Sequence, residues 1–99
     1  MKEFSFEKLR FWKDLRQLVK EKYTLTKSFP EDEKFGLVSQ MRRAVVSVSS
    51  NIAEGSSRTS YKDQAHFSQI AYGSLMKLLS QTILSLDLEY IDNKKLMWN

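Results

Sequence analysis

Ninety-nine residues, 41% hydrophobic and 28% charged, with three glycines and one proline, describe one globular helix-rich domain, too short for an open α/β sheet with its crossovers. The chain has no cysteine, so a disulfide framework and a thiolate metal site are excluded; Met1-Lys2-Glu3-Phe4 lacks a signal peptide's apolar stretch, and no apolar run is long enough to span a membrane, so the expected address is the cytoplasm. The net charge of +4 lies wholly in residues 1–43, which hold eleven Lys/Arg against seven Asp/Glu, while residues 44–99 hold five against five, a bias that favours a polyanionic partner.

The first helix is predicted over about Glu7 to Ser28, with Ser5 as its N-cap, ending before Phe29-Pro30 because the residue preceding a proline is pushed out of helical geometry. At 100° per residue, Trp12, Leu15, Val19 and Tyr23 share an apolar face, Lys13, Arg16, Lys20 and Lys27 a basic one, and Glu7, Asp14 and Glu21 an acidic one.

A second helix is expected from Pro30 or Glu31, since proline suits the first helical position and Glu31, Asp32 and Glu33 complement the helix dipole. Val38, Met41, Val45, Val48 and Ile52 recur at alternating spacings of three and four, a seam for packing against another helix. The β-branched stretch Val45-Val46-Ser47-Val48 competes as a strand, but the seam runs past it on both sides, so helix is preferred. Gly55 closes this helix or loosens its last turn before Ser56-Ser57-Arg58.

The third helix is predicted from Ser60, a cap with Asp63 three residues on, to about Tyr90. From Gln64 to Leu86 its only formal charge is Lys77, and apolar residues project in more than one direction. A helix apolar around so much of its girth is central to a bundle or half buried by another subunit, and in so short a chain self-association is the expectation. Asp92 reads as the cap of a short fourth helix over 93–99, about two turns, where an up-down bundle normally has a full-length one. The fold class expected is therefore an all-α, antiparallel up-down helical bundle over residues 1–99, with three long helices and a short or truncated fourth.

Catalytic candidates are thin. His66, the single histidine, reads as a surface or interface residue; no zinc-type cluster, inward Glu-x-x-His pair, serine with a general base or Gly-rich phosphate loop is present, so neither an enzyme nor a metal or cofactor site is expected. Asn51, beside the apolar seam, reads as a structural hydrogen-bonding residue that fixes helix register, and Glu54 as a partner for Arg42 or Arg43. The best functional candidates are the basic residues Lys13, Arg16, Lys20 and Lys27, with Arg42-Arg43 and with Arg58 and Lys62, which suit sequence-independent phosphate contacts. The competing reading is a solvated charged surface. Trp12 and Tyr23 point to the apolar side, so base stacking is not expected beside this charge.

The stretch Gln40 to Gly55, QMRRAVVSVSSNIAEG, resembles the signature of the bacterial four-helix-bundle proteins encoded in intervening sequences of large-subunit ribosomal RNA genes. Phe6-Glu7-Lys8-Leu9 with Trp12, Phe29-Pro30 with Glu33-Lys34-Phe35-Gly36-Leu37, and Gly73-Ser74-Leu75 fall in the matching order, so the similarity covers nearly the whole chain. The resemblance implies a left-handed antiparallel four-helix bundle in a ring-like homopentamer. One branch of the family is similar to accessory proteins of retroelements, which bind a reverse transcriptase and nucleic acid. It also implies structural or interfacial roles for Gln40, Arg42, Arg43, Ser47, Asn51, Ile52, Ala53, Glu54 and Gly55, and for Gly73 and Leu75. The chain departs from the pattern at Ser49, where relatives often have proline, at Lys77 and Leu79, where they are usually acidic, and in its abbreviated fourth helix. Together these readings predict a non-enzymatic, self-associating protein that binds RNA or DNA through basic helix faces without a cofactor; the alternative is a scaffold or accessory subunit, for example of a reverse transcriptase, that does not itself touch nucleic acid.

Overall fold

The computed structural model describes residues 6–92, with side chains from Arg10 onward. Three α-helices, α1 (Phe6–Thr26), α2 (Leu37–Ser56) and α3 (Tyr61–Asp87), with one 3₁₀ turn at Glu31–Glu33, make up the regular structure of these residues, and there is no strand among them. The strand alternative at Val45–Val48 is thereby overturned. The Ser5 cap and the fourth helix over 93–99 fall outside the described residues.

The seam predicted on α2 is the centre of the core. Met41 and Val45 are completely buried, Val38 and Val48 nearly so, and Leu25, Phe29, Ala44, Leu78 and Ile91 close around them. Both α1 and α3 pack on α2. As α2 ascends, its partners on α3 descend: Gln40 meets Gln81, Ser47 meets Ser74, and Gly55 meets Phe67. The pair is thus a helical hairpin within a molecule of 45 × 24 × 18 Å. Its axes come close because the facing residues are small. A Cβ on Gly55 would stand 3.1 Å from Phe67 Cβ, tighter than ordinary van der Waals contact. Two buried hydroxyls of α3 satisfy themselves locally: Thr82 donates to the Leu78 carbonyl (2.8 Å) and Ser85 to that of Gln81 (2.8 Å), the back-bonding by which hydroxyls tolerate a helix interior.

Three helix ends differ from expectation. First, α1 stops at Thr26, where the Thr26 hydroxyl bonds back to the Lys22 carbonyl at 2.9 Å and the chain turns. Second, α2 begins at Leu37 and not at Pro30 or Glu31, because the acidic run makes only one 3₁₀ turn. The Glu33 carboxylate then folds forward to accept the Leu37 N–H (3.1 Å), capping α2 from outside it. Gly36 permits this approach, since a Cβ there would sit 2.8 Å from Glu33 Oε1. Third, α3 ends at Asp87 and not at Tyr90. Glu89 turns left-handed (φ 64°), with Tyr90 N–H donating to the Ser85 carbonyl (2.9 Å) and Glu89 N–H to that of Leu86 (3.0 Å), the paired bonds of a Schellman ending.

That reversal folds the chain after α3 back onto the core. Tyr90 stacks obliquely on Phe29, with centroids 5.3 Å apart, and donates its hydroxyl to Glu33 Oε2 at 2.8 Å, while Ile91 is buried. The backbone bond from Leu37 and the Tyr90 hydroxyl bond hold the Glu33 carboxyl below its usual range, and the carboxylate in turn holds the Tyr90 phenol above its own. Ser60 caps α3 as predicted, accepting from the Asp63 N–H at 3.1 Å.

Candidate nucleic-acid interface

The basic stripe on α1 is exposed as the periodicity requires: Lys13, Arg16, Lys20 and Lys27 all reach solvent. At a rise of 1.5 Å per residue the three within α1 span about 10.5 Å, and Lys27 follows one residue past its end. The opposite side of α1 is buried through Leu15, Leu25 and Thr26. Lys22 belongs to that side; burial pushes its ammonium below the usual range, partly offset by Glu21 beside it.

Arg42 and Arg43 are neighbours in sequence but differ in use. Arg42 is a clamp between helices: its Nε donates to Thr26 Oγ1 (2.9 Å), its Nη2 donates to the Tyr23 carbonyl (3.3 Å), and its guanidinium lies 4.6 Å from the Tyr23 ring centroid. It thus supplies charge at the negative end of α1 and a donor to one of its last carbonyls, with the Thr26 hydroxyl as its other acceptor. Arg43 is exposed and enters no salt bridge among the described residues.

Both arginines line an open groove of about 610 Å³ between α1 and α2, together with Lys34, Tyr23, Phe35, Val38 and Val46. Phe35 stands 88% exposed, and the Lys34 ammonium lies 5.7 Å from its ring centroid. Tyr23 is also exposed at its rim, so the expectation of no aromatic beside the charge is corrected. Phe35 is the open aromatic face of this groove, since Arg42 already lies over the Tyr23 ring, and the cations around it suit a stacked base with phosphates on either side. Sequence reading missed Lys34 and Phe35 because the segment was assigned to the interior of a helix. The signal available was the apolar pair Phe35-Leu37 astride Gly36, of which only Leu37 turns toward the core.

The remaining cations lie apart, at the α2–α3 turn. Arg58 pairs with Glu54 across one helical turn, and its guanidinium lies 5.0 Å from the Phe67 ring centroid. Gln64 donates to the Arg58 carbonyl at 2.8 Å. Within the protomer Glu54 therefore pairs with Arg58 and not with Arg42 or Arg43. Lys62 is exposed nearby, as is His66, whose ring meets Phe67 edge-on at 5.2 Å.

The expected structural residues have mixed roles. Asn51 donates to the Ser47 carbonyl (2.9 Å) and to Ser47 Oγ (3.1 Å), and Ser47 Oγ lies 2.7 Å from Ser74 Oγ, so Asn51 links the helices through a serine pair. Gln40 accepts from Gln81 Nε2 at 3.4 Å, and Gly55 makes the close approach to Phe67 described above. Gly73 differs: nothing lies within 4 Å of where its Cβ would be, and Leu75 beside it is 43% exposed. Leu75 is part of an outer apolar face with Tyr72, Met76, Leu79 and Ile83, all exposed.

A second cleft, of about 250 Å³, opens between α2 and α3 and is lined by Gln40, Arg43, Ala44, Ser47, Ser74, Lys77 and Gln81. Arg43 and Ser47 line both openings, so a single ridge of α2 separates the aromatic groove from the polar cleft. Among the described residues no cluster of three or more His, Cys, Asp or Glu is placed to hold a metal, and no helix is long and apolar enough to cross a membrane.

Residues 7–98 match the family profile described as 23S rRNA-intervening sequence protein. The resemblance read from Gln40 to Gly55 is thereby borne out over nearly the whole chain. Comparison with curated proteins finds no match.

Proposed function

The chain belongs to the 23S rRNA-intervening sequence protein family, and on that premise we propose that it is a non-enzymatic, self-associating helical protein that binds RNA or DNA through its basic faces, without a cofactor. The observation that carries the nucleic-acid part is the groove where Lys34, Arg42 and Arg43 surround the exposed rings of Phe35 and Tyr23. Cations give affinity that is indifferent to base sequence, and exposed rings add stacking that an unpaired strand alone offers freely. Arg16 and Lys20, one to two turns along α1, extend the charged track; Arg58 contributes least because Glu54 neutralises it.

Self-association is supported by the outer face of α3. Tyr72, Met76, Leu79 and Ile83 follow the same three-and-four spacing as the buried α2 seam, and Lys77, the only formal charge from Gln64 to Leu86, lies well away from them around the helix. Such a stripe carries no charge to repel its own copy, so a second copy of this chain is the occupant proposed. On this reading an antiparallel up-down four-helix arrangement is completed across subunits, up to the homopentamer that the family resemblance implies, in the cytoplasm. Repetition of a modest basic patch around a ring multiplies its effect through avidity.

The same stripe favours one other reading, docking of a protein partner such as a reverse transcriptase with no contact to nucleic acid. Fluorescence anisotropy with labelled single-stranded RNA and DNA separates the two. Binding is expected at low salt, weakening steeply as salt rises. The triple change Lys13→Gln, Arg16→Gln and Lys20→Gln is expected to flatten the log–log salt slope by about 2, at ~0.7 per single-strand phosphate contact. Absence of binding at low salt ends the nucleic-acid reading, whereas apolar docking is nearly indifferent to these changes.

A further inference from the structure

The polar cleft between α2 and α3 contains more hydrogen-bonding capacity than the protein itself uses. Gln81 is only 5% exposed, and its Oε1 has no hydrogen-bond partner. Its other amide end makes one long bond, 3.4 Å, to Gln40. The two ends of a side-chain amide are interchangeable by a half-turn, and the exposed Gln40 is free to turn with it, so either end of Gln81 can be the one left over. An orphaned polar atom this deep is costly unless something arrives to meet it.

The serine pair tells the same story. Ser47 and Ser74 share one hydrogen bond, and Asn51 donates to Ser47 Oγ. Whichever hydroxyl donates to the other, one O–H proton of the pair remains, and no acceptor for it is found among the described residues.

Two cations border this cleft without a carboxylate. Arg43 and Lys77 both line it, and no Asp or Glu does. Neither finds an acid on its own helix: the positions one turn away are Ser39, Gln40, Val46 and Ser47 for Arg43, and Gly73, Ser74, Ser80 and Gln81 for Lys77. Like charges facing one opening repel, and an anion between them reverses the sign. The opening lies below the ~300–1,000 Å³ of whole-ligand pockets, so it suits a group and not an entire cofactor.

We propose that this cleft is a phosphate subsite, in which Arg43 and Lys77 supply charge while the leftover Ser47 or Ser74 hydroxyl and the free end of the Gln81 amide donate. The inference rests on the nucleic-acid reading only for the carrier of the phosphate, since a strand crossing the Arg43 ridge from the Phe35 groove would deliver its next phosphate here.

The test uses the full chain with two variants and two probes. Lys77→Met removes a charge at nearly constant volume; Gln81→Leu removes the orphaned amide. With a single-stranded oligonucleotide, Lys77→Met is expected to lower the salt slope by about 0.7–1, the signature of one lost phosphate contact. Gln81→Leu is expected to weaken binding about two- to tenfold with the slope unchanged, and to leave the urea midpoint equal or higher. With inorganic phosphate, the Gln81 side-chain amide resonances should shift saturably in the wild type and not in Lys77→Met. If the oligonucleotide binds and both variants match the wild type, the subsite is refuted while the nucleic-acid reading survives. If no oligonucleotide binds but phosphate titrates Gln81, the subsite stands with a free phosphate or phosphomonoester as its ligand, and the nucleic-acid reading falls. If neither probe responds, or if Lys77→Met alters sedimentation and neither titration, the inference is wrong and the cleft is structural or a contact between copies.

Discussion

Two apolar stripes of the same design have opposite fates in this molecule. On α2, Val38, Met41, Val45 and Val48 are enclosed, with Met41 and Val45 at 0% exposure. On the outer face of α3, Tyr72, Met76, Leu79 and Ile83 recur at comparable spacing yet remain 65%, 44%, 48% and 47% exposed. Periodicity reports that a helix face wants a partner and is silent on which chain supplies it. For α2 the partners are α1 and α3 of the same protomer; for α3's outer face no covering element exists among the described residues.

The sharpest way to break this comparison is to truncate one residue in each stripe. Met41→Ala is expected to cost about 2–5 kcal/mol, because a fully enclosed side chain leaves a cavity. Leu79→Ala should change the stability of the isolated protomer by less than about 1 kcal/mol and act on association instead. Urea denaturation at low protein concentration checks both; equal losses would mean that the outer stripe is part of the protomer's own core.

A smaller effect comes from the glycines of the hairpin. Gly73 occupies an exposed helix interior with open space at its Cβ position, so Gly73→Ala should raise stability by about 1 kcal/mol through helix propensity alone. The same change at Gly55 meets Phe67 at 3.1 Å and must lose some of that gain. Thermal melts of the two variants side by side measure the difference, and a destabilising Gly73→Ala would reveal a neighbour that this protomer does not contain.

The smallest effect is set by pH, since the Glu33–Tyr90 contact is solvent-screened. Glu33 has a depressed carboxyl, so its contribution is present above 4.5 and is lost as pH falls through the lower folded value. Tyr90 has a raised phenol, so its contribution is present below 10.0 and is lost as pH rises through the higher folded value. The stability difference between wild type and Tyr90→Phe should therefore be flat across that window and shrink at both ends. A difference that does not vary with pH would show that Tyr90 acts through its ring on Phe29 alone.

Much of the fold was legible because it is written in local, repeated terms. The Val38–Ile52 seam outweighed the β-branched run at Val45–Val48, and Ser60 capped α3 where its spacing to Asp63 placed it. The start of α2 was not legible. It depends on one carboxylate, Glu33, bonding four residues ahead to Leu37 and fifty-seven ahead to Tyr90, and the distant partner leaves no local trace. The candidate interface was half legible for the same reason. Charge periodicity located Lys13, Arg16 and Lys20, whereas Phe35 lies outside any periodic element, ahead of the late start of α2, and Arg42 is held in place by Thr26 and Tyr23. Gln81 carries no signal in the sequence, since only the hairpin encloses it.

The central claim is that α3 turns its outer stripe toward another copy of the chain. Sedimentation across a hundredfold range of concentration tests it directly, beside the double variant Leu79→Glu and Ile83→Glu. The account predicts a wild-type mass at a multiple of 11.6 kDa, collapsing to one chain in the double variant with helix content retained. A wild type that sediments at the mass of a single chain at the highest concentration, with its outer stripe bare, would contradict it.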